Sequence, residues 1–141
     1  MNTYNLSRNK IMKKKTKIKR IKLISLSKLI KQTDKLVSEY VRKRDKRCVT
    51  CFKISDLQCG HLISRRKMAV RFDLRNCNCQ CSSCNFKHNY FPEIYTFWWI
   101  NKYGKEAYND LVGRSLPLKK YTRTELYNIQ TAIKLLLGEL K

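Results

Sequence analysis

Apolar residues along this chain first take up a regular spacing over residues 28–44, where Ile30, Leu36, Val37, Tyr40 and Val41 recur at helical intervals and the positions between them are mostly basic. That pattern predicts an amphipathic helix running toward Cys48. Two short stretches follow, around residues 57–63 and 70–74, in which apolar or small residues alternate with polar ones. They predict two short strands, with the charged Ser64-Arg65-Arg66-Lys67 segment between them. After Cys84 the spacing returns to helical. Ile94, Phe97, Trp98 and Tyr103 would share one side, Pro92 suits a first turn, and Gly104 offers a stop. Thr122 and Glu125 have capping-box spacing ahead of Leu126, Ile129, Ile133, Leu136, Leu137 and Leu140, which predicts a final amphipathic helix. Its apolar face must pack on the domain or on a second copy of the chain.

Residues 1–27 show none of this spacing and carry runs such as Lys13-Lys14-Lys15, so they read as a flexible basic arm. A length of 141 residues suits one compact domain. The division expected is the arm at 1–27, one domain with its leading helix at 28–116, and the C-terminal helix at 117–141. The fold class is α+β, mostly helical.

Charge narrows the function. A formal net charge of +22, from 32 Lys and Arg against 10 Asp and Glu, implies a polyanionic partner. Nucleic acid and an anionic membrane surface both qualify. The longest early apolar stretch, residues 21–30, is broken by Lys22 and Lys28, which predicts neither a membrane span nor a secretory signal. DNA is therefore the expected partner, and the basic arm would add affinity through counterion release.

Seven cysteines without an export signal point to a reducing compartment and to metal binding. Cys48-Val-Thr-Cys51 and Cys81-Ser-Ser-Cys84 are two C-x-x-C knuckles that together complete a tetrahedral four-thiolate zinc site. A closed thiolate shell leaves no position for water, so this zinc is expected to be structural. Cys59, Cys77 and Cys79 read either as small buried hydrophobes or, for Cys77 and Cys79, as alternative ligands.

Between the knuckles stand Gly60-His61 and Asn76, and Asn85 directly follows the last cysteine. This order resembles the HNH nuclease motif set in a zinc ribbon, as in the endonuclease VII-like enzymes. Asp34-Lys-Leu-Val-Ser-Glu-Tyr-Val-Arg-Lys-Arg-Asp45, Leu57-Gln-Cys-Gly-His61, Arg71-Phe72, Asn76-Cys77 and Gln80-Cys81-Ser-Ser-Cys84-Asn85 resemble, more narrowly, the NinG (Rap) recombination endonucleases of lambdoid phages. The likeness covers roughly residues 33–113. It implies a ββα-metal core, a protein of the bacterial host's cytoplasm, and metal-dependent cutting of branched DNA such as Holliday junctions and D-loops. The competing readings are a non-catalytic zinc-ribbon DNA-binding protein and a sequence-specific homing or restriction-like HNH nuclease.

The resemblance also implies roles. His61, at the end of the first strand, would be the general base. Asn76, in the loop between the second strand and the helix, would brace the His61 segment or simply shape a turn. Asn85 would offer its amide oxygen to Mg2+ or Mn2+. His88, one turn on, would complete that shell, with Asn89 competing for the place. Many HNH enzymes carry an acidic ligand just before the catalytic histidine, where this chain has Gly60; Asp73 or Glu93 could supply the missing charge. Arg65, Arg66, Lys67 and Arg71 would neutralise phosphates or form a solvated basic loop. Of the adjacent Trp98 and Trp99, only one can face a core from a helix. Symmetric cleavage of a junction would call for a homodimer.

Overall fold

A computed structural model of the chain describes residues 23–140. The basic arm expected at 1–27 thus lies mostly outside the described residues, and its last residues belong to the first helix. α1 spans Leu26–Asp45, with the Ser25 side chain accepting from the Lys28 amide as its N-cap. Leu29, Val37 and Val41 are buried along one stripe, and the predicted Ile30, Leu36 and Tyr40 pack beside them.

β1 (Leu57–His61) and β2 (Cys77–Cys81) form an antiparallel hairpin in which His61 stands opposite Cys77 and Cys59 opposite Cys79. β1 falls within its predicted stretch, but the second strand does not lie at 70–74. That segment instead follows a 3-10 turn at Met68–Val70 and sends Val70 and Phe72 into different cores. The true β2, Cys-Asn-Cys-Gln-Cys, does alternate apolar and polar residues, but its polar positions face no solvent: all five residues are buried. One face of the hairpin (Leu57, Cys59, Cys77, Cys79) lies on the α1 core, and the other (Gly60, Asn78, Gln80) lies under the helices that follow. A strand covered on both sides buries both of its faces, so alternation in its sequence does not mark a solvent side.

Helices α2 (Ser82–Lys87), α3 (Pro92–Tyr103) and α4 (Lys105–Ser115) come next, with Pro92 at the start of α3 and Gly104 (φ +91°) at its end. The buried side of α3 is not the predicted one. Tyr95 and Trp99 are buried, while Ile94 and Phe97 are exposed. The reason is polar: the Tyr95 hydroxyl meets Asn78 Nδ2 at 2.9 Å, and Trp99 Nε1 donates to the Arg75 carbonyl at 2.7 Å, so the two large side chains with a polar tip turn inward. Trp98 is left half-buried beneath Lys102.

α5 (Arg123–Glu139) has the predicted capping box between Thr122 and Glu125. Its Leu126 and Ile133 enter the same core as α1, and Gln130 Nε2 donates to the buried Thr33 hydroxyl at 3.0 Å. The question of what its apolar face covers is thereby answered within the chain: α5 packs on α1 and shares its core. Finally, the Arg44–Asp45 pair at the end of α1 fastens β2. Arg44 donates to the Leu74 and Cys77 carbonyls, and Asp45 accepts from the Cys79 amide.

Candidate functional site

The four knuckle cysteines, Cys48, Cys51, Cys81 and Cys84, hold their sulfur atoms within 4.8 Å of one another. Cys51 and Cys81 Sγ are 3.6 Å apart, close to the roughly 3.8 Å edge of a tetrahedron with 2.3 Å zinc–sulfur bonds. Backbone bonds shape the cage: the Phe52 amide donates to the Cys48 carbonyl, Val49 donates to Cys79, and Ser82 donates to Asp56. Phe52 takes a left-handed conformation to close the first knuckle. Burial pushes Cys48 up, but the Thr50 hydroxyl and nearby backbone amides hold its thiol down at about 6, while burial and the neighbouring thiols drive Cys84 up to about 12. Thiols so close cannot ionise together without a cation among them. The cluster fits zinc, and it ties the segment before β1 to the end of β2 and the start of α2.

His61 sits at the end of β1, half-buried, with Nε2 3.0 Å from the Arg71 carbonyl. A carbonyl only accepts, so Nε2 carries the proton and Nδ1 keeps the lone pair. Burial pushes the imidazole below its ordinary value, partly opposed by the Arg71 carbonyl and by the Asp34 carboxylate. Asn76 is wholly buried and stands just before β2, not after the second strand as expected. Its Oδ1 accepts from the Ile63 amide at 2.8 Å, and its Nδ2 donates to the Ile63 and Val70 carbonyls at 3.0 Å each. It therefore holds the strand exit beyond His61 against the 3-10 turn.

Asn85, on α2, donates from Nδ2 to Gln58 Oε1 at 2.9 Å. It lines a cavity of about 880 Å3 together with His61, Arg65, His88 and Asn89. A second cavity of about 620 Å3 shares Gln58, Cys59, His61, Arg65 and Asn85 and adds Asp34 and Glu39 of α1. One groove thus runs from α2 across the open edge of β1 to α1, and His61 and Asn85 stand in both halves.

Several expected partners are placed differently. His88 reaches the groove, but its Nε2 donates to the Leu62 carbonyl at 2.9 Å, and its Nδ1 is buried without a partner among the described residues. Its ring packs edge-on against Tyr95. Arg71 is no free phosphate contact: its guanidinium grips Asp34 in a bidentate pair at 2.9 and 2.6 Å. Asp73 accepts from Arg114 at 2.6 Å, Glu93 is exposed at the start of α3, and neither lines the groove. Arg65, Arg66 and Lys67 are exposed, and Arg65 reaches both cavities.

Gly60 has a steric explanation. A Cβ there would lie 2.3 Å from Gln80 Oε1, so the Gln80 amide fills the space that a side chain before His61 would need. That oxygen is buried and unpaired among the described residues. Groove carboxylates are likewise scarce. Only Asp34 and Glu39 line it among the described residues, and they are engaged by Arg71 and Lys43. The donors around Asn85 are neutral amides, a set that does not fit a resident hard divalent cation such as Mg2+ or Mn2+.

Sequence reasoning missed Asp34, Gln58 and Gln80. Asp34 lies on the polar side of α1, and only its pairing with Arg71, 37 residues away, brings it to His61. Cys77 and Cys79, read from the sequence as small buried hydrophobes or alternative zinc ligands, stand outside the four-cysteine group; Cys59 and Cys77 instead form, with His61, a second group whose ligand atoms lie within 4.8 Å of one another.

Comparison with known proteins supplies the family. The model of the family described as Bacteriophage Lambda NinG protein matches residues 3–141. The proteins named Protein ninG from Escherichia phage 933W and from Enterobacteria phage VT2-Sa are each 32% identical over 104 residues, covering 70% of this chain and 52% of theirs. The chain thus spans about half the length of these curated relatives. No solved structure matches it. The chain belongs to the NinG family.

Proposed function

Taking NinG membership as the premise, we propose that this chain is a structure-specific DNA endonuclease of phage recombination, hydrolysing phosphodiester bonds in branched DNA such as Holliday junctions and D-loops. The observation that carries the reading is the groove itself. A histidine whose Nε2–H is fixed on a backbone carbonyl, leaving Nδ1 basic, shares a wall with Arg65 and faces the first turns of α2.

In this reading the hairpin, α2 and the four-cysteine cage form an HNH-type ββα core, and the cage holds structural zinc. His61 Nδ1 takes a proton from the attacking water. Arg65, with Arg66 and Lys67 beside it, neutralises the phosphate whose charge grows in the transition state. Asn76 keeps the strand exit rigid, and Asn85 orients the strand being cut. The protein works in the host cytoplasm, and no helix among the described residues is long and apolar enough to cross a membrane. A second copy on the other arm of a junction would account for paired cuts.

The engaged carboxylates favour a second reading, a zinc-ribbon DNA-binding protein without catalysis. One experiment separates the two: wild type and His61→Ala are incubated with branched and linear DNA, with Mg2+ and with EDTA. Endonuclease action predicts cutting of the branched substrate by wild type alone. Binding by both proteins with cutting by neither establishes the binding-only reading, and equal cutting by both removes His61 from the mechanism.

A further inference from the structure

We propose that Cys59, His61 and Cys77 form a second metal site for a thiophilic divalent cation such as Zn2+, separate from the four-cysteine cage and open toward the groove. The register makes the site: His61 stands directly opposite Cys77, and Cys59, two residues before His61, lies on the same face of the hairpin. Their ligand atoms, two sulfurs and one ring nitrogen, all lie within 4.8 Å of one another, the same closeness shown by the cage cysteines.

Three further observations distinguish this group from a chance meeting of small core side chains. The Arg71 carbonyl receives both the His61 Nε2–H, at 3.0 Å, and the Cys77 thiol, at 3.4 Å, so the two are held by one backbone acceptor of the kind that orients metal-binding imidazoles. Two thiolates and a neutral imidazole carry two negative charges, which a divalent cation cancels, so a loaded site leaves no net charge in a half-buried place. Cys59 and His61 also line the groove, leaving a fourth position for water or a ligand, as in open Cys2His zinc sites. The same groove lacks free carboxylates, so the metal chemistry available at its His61 end is that of sulfur and nitrogen.

The site does not depend on the nuclease reading. If both hold, a metal on the imidazole occupies the lone pair that would accept a proton, and the loaded form is inactive.

The test is anaerobic Co2+ titration of the reduced full chain, followed by thiolate-to-metal charge-transfer and tetrahedral d–d bands. Wild type is expected to saturate at two equivalents, the second with bands distinct from those of an all-sulfur site. Cys59→Ala and His61→Gln are expected to saturate at one, with an unchanged far-ultraviolet spectrum. Cys79→Ala, on the same face but outside the group, is expected to keep both. Cys59 is half-exposed, so its variant reports even if a change at buried Cys77 prevents folding. Saturation of wild type at one equivalent, retention of two by Cys59→Ala, or loss of one in Cys79→Ala would each overturn the proposal. Because the readout is stoichiometry and spectrum, its failure is distinct from absence of DNA cleavage.

Discussion

Replacing Asn76 with alanine removes three hydrogen bonds in one step, and every group left behind is the backbone of the site. The Ile63 amide, the Ile63 carbonyl and the Val70 carbonyl all lose the partner that now lies 2.8 to 3.0 Å away. Asn76 is wholly buried, so water cannot replace the carboxamide without opening the packing around it. At about 1 kcal/mol net per bond, and more where a buried group stays unpaired, the expected cost is about 3–5 kcal/mol. That is a large part of the roughly 5–15 kcal/mol that holds a domain of this size folded. With a urea slope near 2 kcal/mol per molar, the midpoint should fall by roughly 2 M. The measurement is urea unfolding of the zinc-saturated full chain at fixed free zinc, since bound metal contributes to apparent stability. Amide exchange at Ile63 supplies a local readout and should lose its protection. A change below about 1 kcal/mol, with the Ile63 amide still protected, would show that Asn76 is an ordinary turn residue and that the bracing argument is wrong.

Gly60→Ala should destabilise the protein by about 1–3 kcal/mol, because the new Cβ meets the buried Gln80 amide; adding Gln80→Ala should recover part of that loss in thermal unfolding, and no recovery would mean the obstruction lies elsewhere. Arg71→Lys should fail to replace the bidentate grip on Asp34, lowering stability by about 1–3 kcal/mol and shifting the His61 ring nitrogen signals in NMR; unchanged signals would uncouple the pair from the histidine. Removing metal with a strong chelator should lower the thermal midpoint and release protection in both knuckles and β2, and added Zn2+ should restore it. An identical melt with and without chelator would refute a structural role for the cage.

Helices were legible in the sequence where apolar spacing was regular, as along the stripe of α1, and most sharply where a capping signal joined it, as at Thr122 and Glu125 of α5. The grouping of the paired knuckles and the place of His61 at a strand end were also legible, because short motifs carry their geometry locally. β2 was not. Asn78 and Gln80 look solvent-facing in a linear pattern, yet they are buried under α2 and α3, and Cys77 and Cys79, which alternate with them, pack on α1. The same limit hid the buried side of α3, where hydrogen bonds from Tyr95 and Trp99 outweighed the more apolar Ile94 and Phe97. Arg71 and Asp34 each look like surface charges until the fold brings them together. Pairing between residues far apart is set by tertiary structure, and no local period encodes it.

The union of α1 with α5 also sets a schedule for synthesis. Thr33 and Gln130 are separated by 97 positions in the chain, so at about 5–20 residues per second α1 leaves the ribosome some 5–20 s before the helix that covers it. During that interval Leu29, Val37 and Val41 have no α5 to rest on, and the nascent chain is open to chaperones and to its own strongly basic neighbours. The hairpin and its cysteine cage can form earlier, since their parts emerge close together. Translation that stalls before α5 would therefore leave the hairpin and its cysteine cage on an unfinished support, with the apolar stripe of α1 uncovered.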